Sequence, residues 1–525
     1  MGNRIRVVLV GFEDQENLGL RYLSSSLRQA GHETRLVTIT DGAEPLLQVI
    51  RDFQPIVVGF SLIFQYLVPH FATLLQRLRA EGVSAHFTMG GHYPSFQPKA
   101  LLEAIPELDS VVRFEGEDTL LALTESIAHA LPWQSLPGIA FRGQEEMVVN
   151  PTRAGRQELD TLPWPDRDDI QYDLQQLPTA SVLGGRGCPW RCSFCSIITF
   201  YEGNGTKGRR RRDPVLIADE LEYLHRERGV RIILWQDDDF LAGGRKGMTW
   251  AHAIAQECIR RGLDRSLRWK ISCRPDEVTT ESLEPLVAAG LTHIYMGVES
   301  GDPQNLKNLN KLLKPESHFK AGEIIRQLGL SFDFGFMLLE PWSTFATVRN
   351  NIRFLREFAG DGASAVSFCR TLPYAGTALE ERLIEEGRLQ DRGVNADYRF
   401  LDPRLDVYYD WLLSTFAERH STASGTSNLL RLLLFDAHLN LPEHPRDPQF
   451  KQWAWHLTSI ANRVLLDTIE AGLDHIESRE AVEPNDSILS MLGEHQSRED
   501  QRLRGDVALL LQRRPDIQQH LHLMR

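Results

Sequence analysis

Short apolar runs alternate with amphipathic stretches through the first 130 residues. IRVVLVGF (5–12), ETRLVTI (33–39), PIVVGFS (55–61), AHFTMG (85–90) and DSVVRF (109–114) read as strands. Between them, segments such as NLGLRYLSSSLRQAG bring Leu18, Tyr22, Leu23 and Leu27 to one face at helical spacing. Five strand–helix units in succession predict a parallel sheet with helices on both faces. Any ligand of such a sheet sits beyond the carboxyl ends of its strands. Within 136–176 the pattern changes: LPGIAFRGQEEMVVN reads as a hairpin and LDTLPWPDRDD as a Pro- and Asp-rich linker. Alternation resumes near 178 with TASVLG, VRIILWQ, LRWKISC, THIYMGVE, LSFDFGFMLL and ASAVSFC, six further units that predict a full or partial barrel. Beyond about 385 the periodicity is helical, as in YYDWLLSTFAERH and SNLLRLLLFDAHL. The expected division is a Rossmann-like domain at 1–135, a hairpin and linker at 136–176, a barrel at 177–385 and a helical domain at 386–525.

Composition narrows the class without naming a chemistry. The 525 residues carry a formal net charge of −13, which argues against a nucleic-acid surface, since that needs a basic face to displace counterions. It gives no reason for attraction to anionic lipid either. No run reaches the roughly 18–20 apolar residues of a membrane span. MGNRIRVVLVGFEDQEN has too short an apolar core for a signal peptide, so the expected location is the cytoplasm.

Three of the six cysteines fall in GRGCPWRCSFCSI, with Cys188, Cys192 and Cys195 spaced Cys-x3-Cys-x2-Cys. The residues themselves leave three readings open. Structural zinc takes four ligands, usually in two short pairs, and here the nearest histidines are His129 and His225 with no second Cys-x2-Cys. Inert buried thiols fit poorly beside Arg and Gly in a loop. A [4Fe–4S] cluster held by three thiolates leaves one iron open to a non-protein ligand. Of the other cysteines, Cys258 and Cys273 read as packed thiols, and Cys369 ends a barrel strand and faces a substrate or packs likewise.

Cys-x3-Cys-x-aromatic-Cys after the first strand of a βα barrel resembles the motif of radical S-adenosylmethionine (SAM) enzymes. The resemblance implies that the open iron chelates SAM and that the cluster's electron cleaves it to methionine and a 5′-deoxyadenosyl radical. Three further segments are similar to that family's. WQDDDF at the end of the second strand offers Asp237 and Asp238 for the SAM amino group. ISCRPDEV implies that Arg274 pairs with the SAM carboxylate in bidentate geometry. MGVESGD implies that Glu299 reaches the ribose hydroxyls. LPYAGTALE reads as a structural turn, and Arg209–Arg212 as a solvated face or a support for an anionic cofactor edge.

The N-terminal domain has no GxGxxG and no P-loop. It resembles a cobalamin-binding fold with a motif Asp-x-His-x-x-Gly, then Ser-x-Leu and Gly-Gly. Asp14, Glu16 and Gly19 stand at the first motif, Ser61 at the second, and Gly90 and Gly91 at the third. Glu16 replaces the histidine, and Ile63 the leucine. This implies a cobalamin held without a histidine below cobalt, its tail lying beside small residues. His92, next to Gly91, is expected to face solvent or phosphate.

Over nearly the whole chain the resemblance is to the cobalamin-dependent radical SAM enzymes. It implies a [4Fe–4S] cluster, SAM and cobalamin, and a flavodoxin- or ferredoxin-type electron donor. The activity implied is C-methylation of an unactivated carbon of a small molecule, with the methyl group passing from SAM through methylcobalamin. The alternative is radical cyclisation, ring contraction or dehydration without methyl transfer.

Overall fold

The computed structural model describes residues 4–13, 16–170, 178–391, 393–422, 424–441, 445–481 and 486–512. Along the chain β1 (Arg6–Gly11), α1 (Leu18–Gln29), β2 (Glu33–Thr38), α2 (Ala43–Phe53) and β3 (Val57–Ser61) come first. Then follow α3 (Val68–Ala80), β4 (His86–Gly91), α4 (His92–Phe96), α5 (Pro98–Ala104), β5 (Ser110–Arg113) and α6 (Glu117–Ala128). The expected hairpin forms as β6 (Ile139–Arg142) and β7 (Met147–Val149), and it extends the same sheet. The sheet order is β2-β1-β3-β4-β5-β6-β7, with the first five strands parallel and the last two antiparallel. This is a flavodoxin-like order, whose direction of winding switches between β1 and β3.

Alternation along β1 explains the layers. Val7 and Leu9 enter one apolar layer with Leu20 and Leu27 of α1 and Leu120 and Leu123 of α6. Val8 and Val10 enter the opposite layer with Leu46 and Leu47 of α2 and Phe71 and Leu75 of α3. Strands buried on both faces need unbroken apolar runs, and VVLV supplies one.

The second half of the chain continues with β8 (Thr179–Val182), β9 (Gly185–Arg186), α7 (Ile197–Gly203), β10 (Arg210–Arg211), α8 (Pro214–Arg226), β11 (Ile232–Trp235), α9 (Arg245–Arg260) and β12 (Arg268–Cys273). Next come α10 (Thr280–Ala288), β13 (Leu291–Glu299), α11 (Pro303–Asn308), α12 (Pro315–Gln327), β14 (Ser331–Leu339), α13 (Phe345–Ala359), β15 (Cys369–Arg370) and α14 (Ala378–Glu385). Helices α15 (Pro403–Ser421), α16 (Thr426–Asp436), α17 (Pro448–Glu477) and α18 (Ser487–Gln512) close the chain. Strands β8, β11, β12, β13, β14 and β15 pair in that order, all parallel, as the staves of a partial barrel.

Two compact units result. Met1–Gln171, Gly185–Asp213 and Leu372–Tyr398 make one, and Tyr172–Gly184, Pro214–Thr371 and Arg399–Arg525 make the other. In the second, the outer face of the barrel packs Trp235, Trp269 and Phe240 against Trp250 of α9. Its inner face at the strands' amino ends is plugged from the helical region: Ile232 and Leu234 pack on Phe435, Leu439 and Leu441. Among the described residues no helix is long and apolar enough to cross a membrane.

Candidate cluster, SAM and cobalamin sites

The cysteine loop belongs to the first unit. β9 and β10 pair antiparallel, Arg186 with Arg210 and Gly185 with Arg211, and so close a loop that carries Cys188, Cys192 and Cys195. All three are half-buried, and the Cys195 N–H donates to the Cys192 carbonyl at 3.1 Å. α7 starts two residues later. The loop is held by a buried carboxylate: Glu115 accepts from Arg186 at 2.7 Å and from Arg210 at 3.0 Å, and Glu117 accepts from Arg186 at 2.6 Å. Despite its own burial, Glu115 is held below the usual carboxylate range by Arg186 and Arg210. The arginine run is therefore not a solvated face. Arg210 and Arg212 are 8% and 6% exposed, because Glu115 engages the first and Asp160 lies 4.0 Å from the second.

Three thiols in one anchored loop suit an iron–sulfur cubane, which takes its protein ligands as thiolates. Among the described residues no group of three or more His, Cys, Asp or Glu side chains is placed to hold a single metal ion. His92 departs from expectation. It opens α4, its Nδ1 lies 3.1 Å from Ser196 Oγ, and its ring stacks on Phe200 of α7 at 4.2 Å. The loop thus rests on the end of β4, and the half-buried His92 ring is built into that contact rather than turned fully to solvent.

Within the same unit, the residues expected at cobalamin gather at the carboxyl ends of β1, β3 and β4. Asp14 lies outside the described residues. Glu16 has φ +57, and its carboxylate accepts from the buried Arg167 at 3.3 Å. Gly19 sits exposed in the first turn of α1, whose N-cap Asn17 accepts from the Leu20 N–H at 3.1 Å. Ser61 ends β3. Gly90 and Gly91 end β4, and all three are half-buried. At Gly91, φ is +117 and a Cβ would lie 2.1 Å from the Leu62 carbonyl oxygen, so only glycine fits. Gly11, which sequence reading passed over, ends β1, and a Cβ there would lie 3.3 Å from Ser61 Cβ. The switch point between β1 and β3 is thus lined by residues with little or no side chain. Such a bare surface suits the tail of a corrinoid, and the motif-histidine position is filled by a carboxylate already committed to arginine.

The residues expected at SAM lie in the second unit. Asp237 is 4% exposed, and its Oδ2 accepts from the Gly184 N–H at 2.9 Å, fixing the end of β8. Asp238 is exposed. Asp239, not singled out from sequence, is buried facing Glu277; burial and that neighbouring carboxyl push the Glu277 acid up to about 9. Arg274 is buried, with Nε donating to Asp276 at 3.0 Å and Nη2 to the Lys311 carbonyl at 2.8 Å.

Glu299 ends β13 at a bulge in its pairing with β14. Its φ of +66 places a non-glycine residue in the left-handed region, a strain that concentrates at functional sites. Asp302 then caps α11 at the Gln304 and Asn305 N–H groups, with Pro303 as its first residue. The turn beyond, with Asn310 and Leu312 both at positive φ, brings Lys311 back to Glu299 at 3.0 Å. Gly297 and Gly335 are register partners beneath this pair. A Cβ on Gly297 would lie 2.7 Å from Lys311 Nζ, and one on Gly335 2.6 Å from Tyr295 Oη. Arg274, Glu299 and Lys311 therefore form one group at the strands' carboxyl ends, while Asp237 serves the backbone. No spacing in the sequence points to Lys311. Cys258 and Cys273 are buried and Cys369 is exposed.

Comparison with known proteins adds the following. Residues 6–124 match the B12 binding domain family, and residues 182–352 match the Radical SAM superfamily. An uncharacterized methyltransferase of Pyrococcus horikoshii is 27% identical over 425 residues, covering 79% of this chain and 86% of its own. The hopanoid C-3 methylase of Methylococcus capsulatus is 29% identical over 394 residues, covering 74% and 71%. A solved structure of the cobalamin-dependent S-adenosylmethionine radical enzyme OxsB, with aqua-cobalamin and SAM bound, is similar in fold over 99% of this chain and 84% of that one, with a TM-score of 0.71 at 16% identity.

Proposed function

We propose, for a chain that belongs to the cobalamin-dependent radical SAM enzymes, C-methylation of an unactivated carbon in a small-molecule substrate. When bound, the [4Fe–4S] cluster supplies the electron that cleaves SAM, and cobalamin supplies the methyl carrier. Cys188, Cys192 and Cys195 would hold the cluster. Arg274 and Glu299 would orient SAM, with Asp237 and Asp238 toward its amino group. Ser61, Gly90, Gly91 and Gly19 would leave room for cobalamin. Glu16, held by Arg167, would leave the lower cobalt face without an imidazole, and Asp14 would complete the motif. A flavodoxin- or ferredoxin-type protein of the cytoplasm would deliver the electron. The observation that carries the reading is that the three-cysteine loop and the bare switch point of a flavodoxin-like sheet occur in one folded unit. The relatives named as methyltransferases or methylases support it.

The test needs no substrate identity. The anaerobically reconstituted, cobalamin-loaded chain is reduced with SAM, and the two adenosyl products are quantified. Methyl transfer through cobalamin yields S-adenosylhomocysteine in addition to 5′-deoxyadenosine. Formation of 5′-deoxyadenosine alone would favour radical rearrangement instead.

A further inference from the structure

The inner face of the second unit's barrel changes character in layers. At the amino ends lies the apolar plug of Ile232, Leu234, Phe435, Leu439 and Leu441. At the carboxyl ends lie Glu299, Lys311 and the two glycines. A charged layer starts at the level of Leu234 and runs toward those ends. Lys270 on β12 sits in register with Leu234 and His293, both on the inner face. Asp333 on β14 sits in register with Tyr295, one step further up. The fourth member comes from the helical region: Arg431 of α16 places Nε 3.8 Å from Asp333 and bonds through Nη2 to Ser367 Oγ.

The charges in this layer do not balance. Asp333 is 7% exposed, lies 3.5 Å from His293 Nε2, and, despite its burial, is held down to about 2 by His293 and Arg431. His293 is buried, its Nδ1 lies 2.8 Å from Ser331 Oγ, and burial holds its pKa low, so at neutral pH it adds no charge. Lys270 is half-buried and forms no hydrogen bond or ion pair with the described residues. Arg431, always charged, and Lys270, whose ammonium burial makes easier to deprotonate although Asp333 favours it, therefore face a single carboxylate. Above them Tyr295 is 38% exposed, and Gly297 and Gly335 carry no side chains, so the layer opens toward the strands' carboxyl ends. Two cationic side chains sharing one carboxylate in a desolvated layer are costly unless a ligand supplies further counter-charge.

We propose that Lys270 and Arg431, with Asp333 fixing Arg431, form a substrate subsite for an anionic group, a carboxylate or phosphate, and that α16 is thereby part of the substrate pocket. This rests on the reading of the chain as an enzyme acting on a small molecule. A cation pair of this kind recognises a planar or tetrahedral oxyanion through charge-assisted hydrogen bonds. The subsite lies deeper in the barrel than Arg274, so it serves the substrate rather than the SAM carboxylate.

The test is ligand binding to the reconstituted full chain by calorimetry, with phenyl phosphate, benzoate and uncharged benzyl alcohol as probes. The two anions should bind and the alcohol should not. Lys270→Met and Arg431→Met should each weaken the anions at least tenfold, while Arg431→Lys retains part of the affinity. Iron content and SAM affinity should stay at the wild-type level in all three variants, which separates loss of the subsite from loss of fold. Equal binding of benzyl alcohol, or anion binding indifferent to both substitutions, overturns the proposal. A parallel fall in SAM affinity overturns it as well, by assigning the cations to SAM. Failure to form S-adenosylhomocysteine with anion binding intact would instead strike the methyl-transfer reading alone.

Discussion

Lys311 illustrates what single residues decide here. Its ammonium meets Glu299 at 3.0 Å and its carbonyl accepts from Arg274 at 2.8 Å, so one residue aligns both side chains expected to contact SAM. The pair is enclosed, with 6% and 13% of the two side chains exposed. Removing one partner of a buried ion pair costs about 3–5 kcal/mol, because the other charge is stranded. Lys311→Ala should therefore lower thermal stability and sharply reduce SAM affinity while leaving the iron content unchanged. Arg274→Ala should likewise lose SAM affinity, by the ~1.5–3 kcal/mol of a hydrogen bond to a charged group. Titration calorimetry with SAM checks both, and unchanged affinity in both would move the SAM site elsewhere. Cys188, Cys192, Cys195, Glu299 and Arg274 stand out as candidates in the sequence because each sits in a short motif. Lys311 was not, because it returns to Glu299 only through α11 and a turn at Asn310 and Leu312 that has no compositional mark.

At the scale of elements, the cysteine loop owes its shape to a two-residue ribbon and a buried carboxylate. β9 and β10 hold Arg186 beside Arg210, and Glu115 joins both to the start of α6. Glu115→Ala leaves the buried Arg210 without a carboxylate and Arg186 with Glu117 alone, and should cost about the 3–5 kcal/mol of a broken buried pair. Its effect on iron is the diagnostic readout: the variant should lose iron to a chelator faster than wild type, although no ligand has changed. Equal iron retention would show that the loop keeps its form without this anchor. The strands and most helices of this unit followed from apolar periodicity, since VVLV, VVGF and their like can only be buried strands. The sheet order, the joining of the hairpin to the sheet edge, and the ribbon depended on pairings far apart in sequence. For the same reason four consecutive arginines read as a solvated face or a support for an anionic cofactor edge, whereas Arg210 bonds Glu115, nearly a hundred positions earlier.

Within the second unit, the helical region was visible as helix but not as a component of the barrel. Phe435, Leu439 and Leu441 plug the inner face, and Arg349 and Arg356 of α13 reach Asp474 and Glu470 of α17 at 2.5 and 2.6 Å. The exposed pairs contribute little, about 0–1 kcal/mol each, so the plug and the buried groups govern stability. Those buried groups give the whole molecule a two-sided pH response. His318 and His438 are 0% and 2% exposed, and burial pushes them down to about 4 and about 3. Below 6.5 the unfolded chain takes up protons that the folded chain refuses, so their contribution falls as pH drops from 6.5 toward 4, by up to about 1.4 kcal/mol per histidine per pH unit. Glu277 acts in the opposite sense. Its folded pKa is raised from 4.5 to about 9, so the folded chain keeps a proton that the unfolded chain has lost, and stability declines as pH rises through that interval. Where the windows overlap, the two histidines outweigh the one carboxyl, so the combined contribution of these three groups is largest near neutrality. Glu277→Gln keeps the shape beside Asp239 and removes the proton exchange. Urea unfolding of the full chain at several pH values should then show a steeper acid limb between about pH 4.5 and 6.5 and a flatter alkaline one between pH 7 and 9. An alkaline limb as steep as wild type in that variant would mean that the Asp239–Glu277 pair is not what holds the proton.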